Sequence, residues 1–378
     1  MLPIDPGTFY LSDNLIICIF VRNQSRAPTT KTRVKRMTEA CGSRRLLYEG
    51  RIIVFWTQRI VNWLGVVLVG LIVAGWATPS SAASYPCKSV EWIVGWGAGG
   101  GSDRFARSIA RGVSENLGVP VKVINMKGAS SVLAQQETIK RPADGCTIFS
   151  ITPDQITNEL TGLTDLSTLG TLTPVFRAHV DVGMLHSKEG GKFETWEAVV
   201  VYAKANEGEL LIGGTGAASF DEIVANVVMK SAGATFRYIP YESAKEMHAD
   251  LLGGRLDVIY DEVSVMSGMI EAGQVRPLIV LAEKRLEKFP DVPSAKELGY
   301  QVPPSLWRGA SVKKGTTDDI VMMLEAAYRK AADTDAYKEF EEGRLLNLYP
   351  GRLGSADFTK VIADEHGTYK DVIEGLKK

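Results

Sequence analysis

The stretch "VEWIVGWGAGGGSDRFARSIARGV" constrains the fold more than any other part of the chain. An apolar run ending at Val94 enters Gly95-Trp96-Gly97-Ala98-Gly99-Gly100-Gly101. Phe105, Ile109, Val113 and Leu117 then recur at every fourth position, between Arg104, Arg107, Arg111 and Glu115. That period is an amphipathic helix with one buried stripe. A strand, a glycine turn and such a helix in succession predict a layered α/β structure, in which the stripe is buried against a sheet containing the strand.

The alternation continues. "VKVIN" reads as a strand, "SVLAQQETIKR" as a helix and "CTIFSIT" as a third strand, which together predict a parallel sheet with helices on its faces. Around Asp181 the pattern restarts with "VGMLHS", "TWEAVVVYAKAN", "ELLIGGT" and "SFDEIVANVVMKSA". The strands "FRYIPY" and "LDVIYDE" then flank "SAKEMHADLLGG", and "VRPLIVLAE" follows. From about Lys314 the chain turns helical. No long linker, low-complexity tract or strict repeat interrupts it, so two α/β lobes are predicted: residues 84–183 and 308–378 form the first, and 184–307 the second.

Residues 1–83 are set apart from this reading. "VNWLGVVLVGLIVAGWAT" (Val61–Thr78) is uncharged and apolar, Arg51 and Arg59 precede it, and "PSSAAS" follows with Ser81 and Ala83 at the −3 and −1 positions of a cleavage site. That is the pattern of a secretory signal, with export to the periplasm and cleavage near Ala83. The competing reading is a retained anchor, since the run approaches the ~18 residues that span a bilayer. Met37 is an alternative start. Residues 1–83 hold ten basic and four acidic side chains, which leaves the remainder at a net charge of −7. An acidic body argues against nucleic acid and against an anionic membrane surface. After cleavage two cysteines remain, an even number in an oxidising compartment. Cys87 just precedes the first strand and Cys146 begins the third, so a disulfide between them is expected.

Glycines after a strand allow backbone N–H groups to approach a ligand, and the helix that follows offers its positive end. Gly95 to Gly100 satisfy G-x-G-x-x-G, but the dinucleotide reading needs an acid at the end of the second strand, and Asn125 stands there. A turn with no ligand and a cradle for another anion are the other readings. Ser102 is a candidate helix cap and Asp103 lies in the first turn. "LLIGGTGAASFDEIV" repeats the device, with Ser219 and Glu222 at capping-box spacing and Thr215, Gly216, Ala217 and Ala218 at the helix mouth. Two such turns, one per lobe, suggest two pincers on one anion. G-x-S-x-G, H-E-x-x-H and Cys-x-x-Cys are absent, and His179, His186, His248 and His366 are scattered without ligand spacing. Asp261 in "IYDE" closes a strand, where α/β ligand sites form.

In "YPCKSVEWIVGWGAGGGSDRFAR", "KRPADGCTIF", "FETWEAVVVYAKANEGELLIGGTGAAS", "IPYESAKEMHADLLGGRLDVIYDE", "FPDVPSAKELGY" and "LWRGASVKKGTT" the chain resembles the extracytoplasmic solute receptors of tripartite tricarboxylate transporters, the Bug receptors. The resemblance covers nearly all of the mature chain. It implies a two-lobed periplasmic binding protein fold of the second type, with a hinge and a ligand cleft between the lobes. It also implies a small carboxylate held by Gly99, Gly100, Gly101, Ser102 and Asp103 from one loop and Thr215, Gly216, Ala217, Ala218 and Ser219 from the other. Arg308 is a candidate for a second carboxylate through its bidentate fork. Gly95 stands where the family usually has Pro, Glu242-Ser243 where it has a basic residue and Gly, and Cys146 where it has Tyr. The implied protein is a monomeric receptor without enzymatic activity or cofactor that delivers its ligand to integral membrane permease subunits. The rival readings are an exported sensor of the same fold and an NAD-dependent oxidoreductase.

Overall fold

The computed structural model describes residues 84–349 and 351–377; the apolar run and the expected cleavage boundary lie outside them. The chain begins with β1 (Val90–Val94), α1 (Gly101–Leu117), β2 (Val121–Asn125), α2 (Val132–Lys140), β3 (Thr147–Ile151), α3 (Asp154–Thr161), the single turn α4 (Thr168–Thr171) and β4 (Leu172–Asp181). It crosses to a second sheet with β5 (Gly183–Lys188), α5 (Trp196–Ala205), β6 (Leu211–Thr215), α6 (Phe220–Ser231), β7 (Arg237–Tyr241), α7 (Ala244–Leu252), β8 (Val258–Glu262), α8 (Val263–Glu271) and β9 (Val275–Val280). It returns with β10 (Leu306–Lys313), α9 (Asp318–Ala332), α10 (Asp335–Glu342), β11 (Leu353–Gly354) and α11 (Ser355–Leu376).

The first sheet has the order β11-β4-β10-β3-β1-β2 and the second β7-β6-β8-β5-β9. Within the first, β1 runs parallel to β2 and β3, whereas β10 is inserted antiparallel between β3 and β4. In the second, β6 is parallel to β7 and β8, and β5 is antiparallel to β8 and β9. The expectation of a parallel sheet is therefore corrected: both sheets are mixed, because the strand at each crossing enters against the direction of the βαβ units. Gly183 already pairs in the second sheet and Leu306 and Trp307 in the first, so the sheets change hands slightly inside the sequence boundaries. Neither β4 nor β10 was read as a strand. All but one residue of β10 is buried, which removes alternation, and β4 carries Pro174, Arg177 and His179.

The α1 stripe is buried as its period predicts: Phe105, Ile109, Val113 and Leu117 all lie in the core. Each such side chain contributes about 1.5–3 kcal/mol. Trp92 of β1 sits edge-on to Phe105 and to Tyr328 of α9, pinning both helices to one face of the sheet. The Cys87–Cys146 disulfide is present and ties the chain before β1 to the start of β3, 59 residues on. The long α11 packs on β4 and α3 and also reaches α6, so it braces both halves.

Candidate functional site

Five helices, α1, α3, α6, α7 and α8, begin at the carboxyl ends of β1, β3, β6, β7 and β8, and the starts of all five line one cavity. That is the position at which open α/β sheets hold ligands, and each helix start adds about half a positive charge. The cavity is small, with about 40 Å³ open to the centres of water molecules. Contacts join the first half to the second: at the wall Phe220 N donates to Asp154 Oδ1 at 3.1 Å, and away from it Ser130 Oγ donates to Ala217 O at 2.8 Å and Arg104 to Val265 O at 3.1 Å.

The first loop supplies Gly97, Gly100, Gly101 and Ser102 to the wall. Gly100, not Ser102, is the N-cap of α1, a correction to the sequence reading; Ser102 is the second residue of the helix. The N–H groups of a first helical turn have no partner within the helix, and the Ser102 hydroxyl makes no hydrogen bond among the described residues although Ser102 is 5% exposed. Asp103 points away from the cavity: it accepts from Gly99 N at 2.8 Å and from Arg107 Nε at 2.9 Å, and so holds the loop. Asn125, where a dinucleotide site needs an acid, donates to Trp96 O at 3.0 Å and accepts from Arg107 at 2.9 Å. It ties the same loop and leaves no acid for a ribose.

The second loop is different. Only Thr215 of the five expected residues lines the cavity; Gly216, Ala217, Ala218 and Ser219 do not. Their groups are used internally. Gly216 N donates to Tyr241 O at 2.9 Å, Ala218 N to Glu222 Oε2 at 2.7 Å, and Ser219, the N-cap of α6, donates to Gly216 O and accepts from Glu222 N. The Thr215 N–H and hydroxyl both donate to Asp221 Oδ2, each at 2.7 Å. In the first loop Gly99 and Asp103 likewise stay off the wall.

Arg308 lines the cavity and is held by two acids: it donates through its two terminal nitrogens to Asp181 at 2.8 Å and to Glu262 at 2.6 Å, it is 4% exposed, and its Nε has no partner among the described residues. Burial opposes its charge, but Glu262 and Asp181 outweigh that and hold the guanidinium more firmly protonated than usual. It lies so close to α1 that a Cβ on Gly101 would meet its terminal nitrogen at 2.0 Å. Gly101 is therefore glycine for close approach, and Gly95 likewise, where a Cβ would meet Ser131 Oγ at 1.8 Å. Asp261 lines the cavity and accepts from Glu262 N at 2.9 Å, with His248 Nε2 at 2.6 Å from its other oxygen. Burial pushes Asp261 up, yet His248 outweighs it and the carboxyl falls below the usual range.

Sequence reasoning missed Trp96, Gly97, Thr152, Asp154, Asp221, Glu242, Ala244, Glu262 and Leu306 in the wall. A rule that looks just beyond each strand finds most of the acids, because Asp154, Glu242 and Glu262 stand at or within three residues of a strand's last residue. Burial pushes the carboxyls of Asp154, Asp221 and Glu262 up; for Asp221 the charge of Asp154 adds to it.

A model of the tripartite tricarboxylate transporter family receptor matches residues 105–377. The Bordetella pertussis protein BugT is 30% identical over 286 residues, covering 75% of this chain and 88% of that protein. Among solved structures, an R. palustris protein with adipate is 26% identical at a TM-score of 0.70, with 78% of this chain and 98% of that chain covered. A TctC solute binding protein from Polaromonas is 27% identical at a TM-score of 0.57, with 77% and 99% covered.

Proposed function

This chain belongs to the tripartite tricarboxylate transporter receptor family, and from that membership we propose that it is a periplasmic solute-binding receptor that captures a small organic carboxylate between its lobes and presents it to integral membrane permease subunits. The observation that carries the reading is the open first turn of α1. Gly101 and Ser102 line the cavity, their N–H groups and the Ser102 hydroxyl make no hydrogen bond among the described residues, and a carboxylate is a small anion that such a turn accepts. Gly99 and Asp103 hold that turn rather than touch the ligand. The adipate-bound relative supports the ligand class. Two connections join the sheets, one at Val182 and one over residues 281–305, and rotation about them admits the ligand and closes over it.

A thermal-shift screen of mono-, di- and tricarboxylates, aromatic acids and amino acids tests the reading. A ligand at 100 times its dissociation constant adds about 2.7 kcal/mol of stability. A carboxylate that raises Tm and binds at one per chain supports it. Stoichiometric NAD binding, with no carboxylate active, contradicts it.

A further inference from the structure

A second groove is shared by the two halves of the chain. α1 and the end of α10 supply one wall, and α7 and α8 supply the other. About 420 Å³ of it is open to the centres of water molecules, against about 40 Å³ in the cavity. Two half-buried arginines of the first half line it, Arg104 on α1 and Arg344 just after α10. Each donates through one nitrogen to a carbonyl in the first turn of α8: Arg104 to Val265 O at 3.1 Å, and Arg344 to Ser264 O at 2.9 Å. Neither side chain makes another hydrogen bond or an ion pair with an acid among the described residues. Their remaining N–H groups are free for an acceptor in the groove. The two charges also repel: burial, and after it the charge of Arg344, lowers Arg104 below the usual arginine range. The acids that line the groove do not answer them. Glu271 is held by Lys288 Nζ at 2.6 Å, and Glu339 is exposed and engages neither arginine. Phe340 adds an aromatic face, 5.6 Å from the Arg344 guanidinium. This pair stands on a body that carries a net charge of −7 from residue 84 onward.

The groove is also wired to the ligand site. His248 lines it, and His248 Nε2 is 2.6 Å from Asp261 in the cavity wall. Ser264, whose carbonyl Arg344 holds, donates its hydroxyl to Asp181, the acid bound by Arg308. Because each half supplies one wall, the groove has this shape only while the lobes are closed. Loops on the outer side of a membrane protein are poor in lysine and arginine, since cations keep loops in the cytoplasm. Such loops offer acids to an arginine pair, and the guanidinium fork fits a carboxylate. From these free donors and their place between the lobes we propose that the groove is the docking site for the permease, and that an acidic side chain of a permease loop enters it and is held by Arg104 and Arg344 together. The permease then recognises the closed, loaded receptor, because the open one has no such groove. This rests on the receptor reading above.

The experiment is uptake of the radiolabelled carboxylate that the thermal-shift screen selects, in cells of the source organism that lack the receptor gene and carry it back as wild type or variant. Each variant is first titrated with the same carboxylate, and uptake is then measured far above its Kd, so that every receptor is loaded alike. Arg344→Gln and Arg104→Gln are each expected to cut this maximal uptake about tenfold or more. Arg111→Gln, an exposed arginine of α1 paired with Glu115, leaves uptake unchanged. Arg344 lies outside the helices, so Arg344→Gln carries the test if an α1 variant fails to fold. Suppressors of Arg344→Glu are expected as acid-to-base changes in a permease loop. Full maximal uptake in both glutamine variants overturns the docking site, and reduced affinity beside it makes the arginines a latch between the lobes. Suppressors confined to the receptor overturn the acidic partner. A wild-type gene that restores no uptake, although its product binds the carboxylate, overturns the transport reading and this site with it.

Discussion

The two strand–glycine–helix units begin alike and end as opposites. The third residue of each helix is an acid that reaches back four positions to the same backbone donor: Asp103 to Gly99 N at 2.8 Å, and Glu222 to Ala218 N at 2.7 Å. Those two acids serve the loops. The second residue differs. In α1 it is Ser102, a neutral hydroxyl in the cavity wall; in α6 it is Asp221, a carboxylate in the same wall. One unit therefore presents donors to an anion. The other spends its donors on its own acid and presents an oxygen. A glycine-rich turn is not a carboxylate grip by virtue of its glycines: the residue that follows the cap by two decides what the turn attracts.

The largest effect is expected between the two units, at Arg308. Arg308→Gln leaves Asp181 and Glu262 buried without their cation, and breaking a buried pair of this kind costs about 3–5 kcal/mol. Urea denaturation measures it. If Arg308 instead greets the ligand, affinity falls and stability holds, and the comparison needs a third partner. Next, Ser102→Asp gives the first unit the chemistry of the second. A carboxylate there repels the ligand's own, and like-charge contact costs several kcal/mol, so carboxylate affinity drops by roughly a hundredfold or more. Unchanged binding removes the first unit from the site.

The strand–glycine–helix units, the helices with strong stripes and the disulfide partners were all legible in the residues. Phe105 to Leu117 carried a clear period, and Cys87 and Cys146 stood beside strands that proved to be neighbours. The strands β4 and β10 were not, because burial on both faces erases alternation and Arg308 in the middle of β10 looks like a surface residue. At the site, Ser102 was found from its place in the turn after a strand, and Thr215 and Asp261 from their place at a strand's carboxyl end. Asp221 was not, since an acid in a first helical turn is ordinary dipole chemistry. Only its bonds to Thr215 and its place in the cavity wall separate it from Glu222.

A third test asks whether the second lobe beneath this wall is as dry as the comparison requires. Burial lowers His186 on β5 to about 4, so it stays neutral in the fold but titrates normally near 6.5 when unfolded. As pH falls from about 6.5 to 4 the unfolded chain gains a proton that the folded chain refuses, and stability declines by about 3 kcal/mol. His186→Gln lacks this titration, so the stability difference between wild type and variant shrinks by that amount from pH 7 to 4. A constant difference argues for a wet interior. The smallest effect belongs to Ser102→Ala. It removes one hydrogen bond to a charged group, about 1.5 kcal/mol or roughly tenfold in affinity, and it leaves stability nearly intact because Gly100 is the cap.

The account's central claim is tested most directly by a crystal structure of the receptor with the carboxylate that binds best. The predicted result has the ligand carboxylate within hydrogen-bond distance of the Gly101 and Ser102 N–H groups and the Ser102 hydroxyl. A carboxylate seated against Asp221 and away from the α1 turn would contradict it.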